Sequence, residues 1–188
     1  METYTRFDKY ADLYDKYRLP YSTCALNNTI DLISQNIKIS NVLDMGAGTG
    51  ILTRQLLKYK FDKYYAAEPN KNMQEKSIKR DTKNQITHIS DLSTDIHSLK
   101  TSSIDVIFVG TAIHWFEPKK TLKEFKRILK KNGFLVILSA GNQSEGLPKD
   151  RYTMNKSYIQ NVSNASNTLR YSKGIHNYSN YFYTMRDT

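Results

Sequence analysis

A chain of 188 residues fits one domain with enough length for a sizeable core. Its single cysteine, Cys24, excludes an internal disulfide and a cysteine-rich metal site, and no run of about 18 apolar residues is present to cross a membrane. The formal charge of +10 invites a nucleic-acid reading. However, the densest basic groups, Lys119-Lys120 and Lys126-Arg127 with Lys130-Lys131, fall on one expected helix as a solvated face, and no basic-aromatic recognition motif accompanies them, so specific nucleic-acid binding is not expected.

The chain opens on charged and aromatic residues without the apolar core of a signal peptide, so a cytoplasmic setting is expected. Tyr10, Leu13, Tyr14 and Tyr17 recur at i, i+3, i+4 and i+7, which predicts an amphipathic helix over 5–17. Pro20 ends it, because the residue before a proline avoids the helical region. A second helix over 22–36 completes a helical lid, 1–36, ahead of a strand at 41–45. Then come a helix over 51–60, a strand at 63–67 and a short strand at 86–89. Residues 105–110 are apolar enough for a strand buried on both faces. Pro118 starts a helix through Lys131 that buries Leu122, Phe125, Ile128 and Leu129, with Asn132-Gly133 as its left-handed stop. A fifth strand follows at 134–138. Strands alternating with helices predict an α/β fold, a doubly wound Rossmann-like parallel sheet with five legible strands. The domain is expected to span 1–140. Residues 141–188 hold six tyrosines among many Ser and Asn and read as a polar tail or a substrate cover.

The densest signal is Val42-Leu43-Asp44-Met45-Gly46-Ala47-Gly48-Thr49-Gly50, a strand end, a glycine turn and a helix start. That arrangement brings backbone close to a nucleotide-like ligand. The spacing is G-x-G-x-G, one residue short of a dinucleotide turn. Asp44 would repel a pyrophosphate and welcome a cationic amino acid. The stretch resembles motif I of the class I S-adenosylmethionine-dependent methyltransferases, whose glycine loop lies under the cofactor's amino-acid part.

Further segments extend the resemblance over about residues 5–140. Glu68, closing the second strand about 20 residues after the glycines, matches the family's ribose-binding acid. Pro69 sets up the next helix, and the resemblance places Met73 near the adenine. An acid beyond the third strand is implied at the adenine edge. Thr94-Asp95 is the preferred register, counted back from Ser103-Ile104-Asp105-Val106, with Asp91 as the other. Tyr14-Asp15-Lys16-Tyr17-Arg18-Leu19-Pro20-Tyr21 is similar to the Tyr-x-x-Tyr-Arg-Pro-x-Tyr lid of small-molecule members, with its proline displaced by one place. The lid implies Tyr14 and Arg18 as cofactor contacts. Thr111-Ala112-Ile113-His114-Trp115-Phe116 resembles the Gln-Ala-x-His-Trp-Phe signature of the trans-aconitate-like, type 11 enzymes, with Thr111 replacing Gln. His114 is then either a base or orienting group for the substrate, or a residue packed in the pocket wall. Trp115 and Phe116 read as pocket lining.

The implied activity is methyl transfer from S-adenosylmethionine to a small molecule, such as a carboxylate. It calls for proximity and alignment, not a nucleophilic residue or a metal. The rivals are a non-catalytic or truncated cofactor-binding module and, third, a nicotinamide oxidoreductase. The family's usual sixth and seventh strands are not legible, so a shortened sheet is expected. The apolar edge at 134–138 would then be covered by the tail or by a second copy of the chain.

Overall fold

Why the chain alternates as it does follows from its caps and apolar spacing. The computed structural model describes residues 11–138, 169–173 and 180–185. Helix α1 is Ala11–Tyr17 and α2 is Thr23–Ser34, the latter capped by the Ser22 hydroxyl, which accepts from the Ala25 N–H at 3.3 Å. Leu26, Ile30 and Ile33 recur on the buried face of α2. Strands β1 (Asn41–Met45), β2 (Lys63–Ala67), β3 (Ile86–Ile89) and β4 (Ile104–Gly110) are joined by α3 (Ile51–Leu56) and α4 (Lys71–Arg80). At α4 the Asn70 side chain accepts from the Met73 N–H. Helix α5 (Pro118–Ile128) carries proline in its first turn, and the Glu117 carboxylate accepts from the Lys119 and Lys120 amides.

Helix α5 stops three residues earlier than the spacing predicts, and β5 (Leu129–Leu138) begins at once. Asn132 does adopt a left-handed conformation, φ 63°, but within β5. There, residues 130–133 bulge between the Leu129–Ile104 and Phe134–Val106 registers. The positive φ was legible; its use as a bulge was not.

β1 to β5 form a parallel sheet, and side chains alternate between its faces. Leu43, Met45, Ile107 and Val109 pack with Leu122, Phe125 and Ile128 of α5. Val42, Val106 and Phe108 pack with α2 and with Leu52 and Leu56 of α3. Phe108 is fully buried, and truncating such a side chain to alanine costs roughly 3–5 kcal/mol.

The last two strands, expected to be missing, are present. β6 (Leu169–Lys173) and β7 (Asn180–Met185) complete a seven-stranded sheet of order β3-β2-β1-β4-β5-β7-β6. β7 runs antiparallel against Phe134–Leu138 and β6 pairs with β7. An apolar strand left at an edge invites pairing, and the chain supplies the partner itself. The segment expected to be a tail therefore contributes two strands of the sheet, and the β5 edge, expected to be covered by the tail or by a second copy, is covered from within that segment. The rest of 139–188 lies outside the described residues, as does the 5–10 portion of the first expected helix.

Candidate cofactor and substrate site

The carboxyl ends of β1, β2 and β4 open onto one cavity of about 280 Å³, in the crevice where open α/β sheets bind ligands. β1 contributes Met45 to its lining and is followed there by Gly46, β2 is followed by Glu68, Pro69 and Asn70, and β4 by Thr111 and Ala112. Met73 of α4 adds an apolar surface.

The glycine turn is built on three left-handed residues, Gly46, Gly48 and Gly50, at φ 74°, 57° and 77°. A Cβ on Gly46 would lie 2.6 Å from the Ala112 Cβ and 3.2 Å from the Phe116 ring, whereas one on Gly48 would meet nothing within 4 Å. The first glycine is thus needed for packing; the second leaves open space beside the cavity. The Gly46 and Ala47 N–H groups donate to the Ala67 carbonyl, Gly50 N–H donates to Ala47, and Gly48 N–H donates to Glu68 Oε2 at 2.7 Å. With these four amides spent internally, the turn does not offer them as a phosphate cradle.

Glu68 is 9% exposed, and its other oxygen accepts from the Asn70 N–H at 2.9 Å. Burial pushes its pKa up, against the two backbone donors. Each oxygen keeps a lone pair for a further donor, as vicinal ribose hydroxyls would require. Asp44 lies beneath the turn, 1% exposed. The Thr53 hydroxyl donates to its Oδ2 at 2.6 Å, and its buried Oδ1 has no hydrogen-bond partner. Burial, with the nearby Glu68 charge adding to it, pushes the Asp44 carboxyl up to about 7, opposed by Thr53. A cationic ligand group above the turn would relieve both carboxylates, so the residues fit an S-adenosylmethionine rather than a polyanion.

The opposite wall comes from elsewhere in the chain. Tyr14 of α1 lines the cavity, and Arg18, just past α1, donates through Nη2 to the Thr111 hydroxyl at 2.8 Å. The buried Arg18 Nε has no hydrogen-bond partner, and among the described residues no carboxylate pairs with Arg18. Thr111, a β-branched residue at φ 53°, sits in strained backbone, a condition that surrounding structure must hold in place. Burial raises the pKa of Tyr14 and Tyr21, so both remain phenols at neutral pH.

Several expected site residues lie apart from this wall. Thr94 lines the cavity together with Leu92 and Ser93; Asp95 and Asp91 do not. The Asp91 carboxylate accepts from the Ser98 N–H and hydroxyl, with His97 Nε2 at 3.3 Å, so its oxygens are spent within the loop. Asp95 is held as a bridge partner of Leu92. His114 is half-buried beside Trp115, with ring centroids 4.7 Å apart, and is absent from the lining that Trp115 and Phe116 form. Burial lowers its pKa. Asn70, Ser93 and Glu117 also line the cavity and carried no sequence signal.

A model of the methyltransferase domain family matches residues 43–137, just over half of the chain, which therefore belongs to that family. A Dictyostelium discoideum protein named as a methyltransferase is 37% identical over 99 residues, covering 53% of this chain and 36% of its own length. The malonyl-[acyl-carrier protein] O-methyltransferase of Brevibacillus brevis is 29% identical over 144 residues, covering 73% of this chain and 52% of its own length. The matches thus span about a third to a half of these curated relatives. A solved structure from Methanococcus maripaludis, named as an S-adenosyl-L-methionine-dependent methyltransferase, superimposes with a TM-score of 0.69 at 19% identity, over 86% of this chain and 83% of that one; it shows the same fold. Among the described residues, no helix is long and apolar enough to cross a membrane.

Proposed function

We propose that this chain binds S-adenosylmethionine at the ends of β1, β2 and β4 and transfers its methyl group to a small molecule. The observation that carries the reading is Glu68, buried on the cavity wall and tied by Gly48 N–H to a turn with open space beside Gly48, where an added Cβ would meet nothing within 4 Å. Glu68 and Asn70 would hold the ribose end, Met73 and Thr94 the base, and Asp44 would face the cationic amino-acid end. When bound, the cofactor supplies a sulfonium-activated methyl. The chain's own part is to exclude water with Tyr14, Trp115 and Phe116 and to align the acceptor.

A carboxylate acceptor is the finer reading. Arg18, without a carboxylate partner among the described residues, supports it, as does the name of the Brevibacillus relative, an O-methyltransferase acting on malonyl-[acyl-carrier protein]. His114 is proposed to pack behind Trp115 as part of the wall rather than to act as a base. A cytoplasmic setting goes with this reading, in keeping with a lone free Cys24. The truncated-module alternative lost its motivation when β6 and β7 joined the sheet.

Calorimetric titration with S-adenosylhomocysteine and with NAD tests the proposal. Saturable binding of the first alone is expected, and Glu68→Ala should weaken it by roughly 1–3 kcal/mol. No binding by the wild-type chain, or an unchanged affinity in the variant, would overturn it.

A further inference from the structure

The lid helix is held down by charge as well as by packing. On α1, Asp12 and Asp15 are three residues apart and share a face. Opposite them, Asp12 pairs with Lys76, and Asp15 pairs with Arg80, both on α4. The Asp15 side chain is only 6% exposed, and its other oxygen lies 3.7 Å from Nη2 of Arg54, on α3. That contact is an ion pair without a hydrogen bond, since Asp15 Oδ1 has no hydrogen-bond partner. Arg54 has a second task. Its Nη1 donates at 2.5 Å to the carbonyl of Thr49, inside the glycine turn. The guanidinium fork therefore reaches the lid with one arm and the turn with the other, a geometry that a single ammonium cannot reproduce. The same α1 places Tyr14 on the cavity wall.

We propose that Arg54 is a positioning residue that couples the lid to the glycine turn, so that docking of α1 through Asp15 fixes the Thr49 carbonyl and with it the turn over which the ligand lies. Electrostatic docking makes this coupling salt-sensitive, because Asp12 and Arg80 are 91% and 52% exposed and ions can screen their pairs with Lys76 and Asp15. The ligand-binding half of the inference rests on the cofactor reading above; the coupling itself does not.

The test uses the full chain in two arms. In the first, hydrogen exchange is followed without ligand in peptides spanning 11–18 and 46–52, for the wild type, Asp15→Asn, Arg54→Lys and the double variant. Asp15→Asn, which leaves the turn's own residues intact, is expected to speed exchange about five- to tenfold in both segments. Arg54→Lys should do the same although it keeps its charge, and the double variant should add little, as members of one network do. Faster exchange at 11–18 with none at 46–52 in Asp15→Asn would overturn the coupling and leave a lid that merely docks. In the second arm, S-adenosylhomocysteine affinity should fall about tenfold in either single variant. It should decline with added salt in the wild type and much less in Asp15→Asn. Equal affinities and equal salt slopes would overturn the link to binding. A wild type that binds no S-adenosylhomocysteine would overturn the cofactor reading, while the exchange arm would still decide the role of Arg54.

Discussion

The two sides of the cavity are built by different means. The floor, Gly46, Gly48 and Glu68 with Asp44 buried next to the turn, is backbone geometry plus buried carboxylates, and the Gly46, Ala47, Gly48 and Gly50 amides are already satisfied by Ala67, Glu68 and Ala47. The facing wall is a set of side chains borrowed from α1, the end of β4 and the single helical turn Ile113–Trp115, held by Arg18, Thr111 and aromatic packing. The floor tolerates little change but can be read from a few adjacent residues. The wall depends on segments about 90 residues apart meeting in space. A floor of this kind suits a ligand common to a family, and a wall of this kind suits a ligand that varies.

Three experiments test that division, from the largest effect to the smallest. Gly46→Ala combines a left-handed backbone with the contact to Ala112 and should destabilise the fold by about 2–5 kcal/mol in chemical denaturation. Gly48→Ala, with open space around it, should cost only about 1–2 kcal/mol of stability while still impairing ligand binding. Equal losses from both would mean that the turn is not divided into packing and ligand positions.

Asp44→Asn should act in opposite directions on the empty and the liganded protein. The native carboxyl, pushed up to about 7, holds a proton that an unfolded chain releases near pH 3.9. The stability it contributes is therefore complete below about pH 4 and drains away as pH rises to 7. The asparagine variant should lose that part of the pH dependence, keeping the part due to Glu68. At pH 8 the empty variant should be more stable than the wild type by about 2–4 kcal/mol, yet bind S-adenosylhomocysteine more weakly. A variant that loses stability at pH 8 would show that Asp44 is ionised and well compensated in the empty fold.

The smallest effect is expected on the wall. His114→Gln should change turnover on a cognate acceptor less than threefold, since the ring packs against Trp115 and is not among the cavity-lining residues. A loss of roughly 100-fold with cofactor affinity intact would restore it as a base.

What could be read from the sequence follows the same division. The β1 and β2 strands, the three glycines and Glu68 were legible because their constraints are local: a left-handed φ calls for glycine, and a carboxylate at a strand end faces the crevice. The adenine-side acid was not. Asp91 and Asp95 look alike in sequence, and only folding shows Ser98 occupying the first and Leu92 bridging the second. Of the residues that line the cavity there, Thr94 was named with Asp95, while Leu92 and Ser93 belong to no periodic pattern. β6 and β7 escaped notice for a related reason. Their stretches are short and polar at the margins, and what makes strands of them is an edge of β5 supplied from far away in the chain. Arg54 is one basic residue on a helix in the sequence; its meaning lies in two acceptors on different elements.

The antiparallel pairing of β7 with β5 also sets an order of events at the ribosome. Leu138 precedes its partner Asn180 by about forty residues. At ordinary synthesis speeds of about 5–20 residues per second, the apolar Phe134–Leu138 stretch waits several seconds for the segment that covers it. During that interval a nascent chain carries an open, sticky edge already paired on one side with β4. Yield in the cell should therefore depend on how fast the final fifty codons are read, and a chain interrupted before residue 180 should aggregate even though its methyltransferase-family segment is complete.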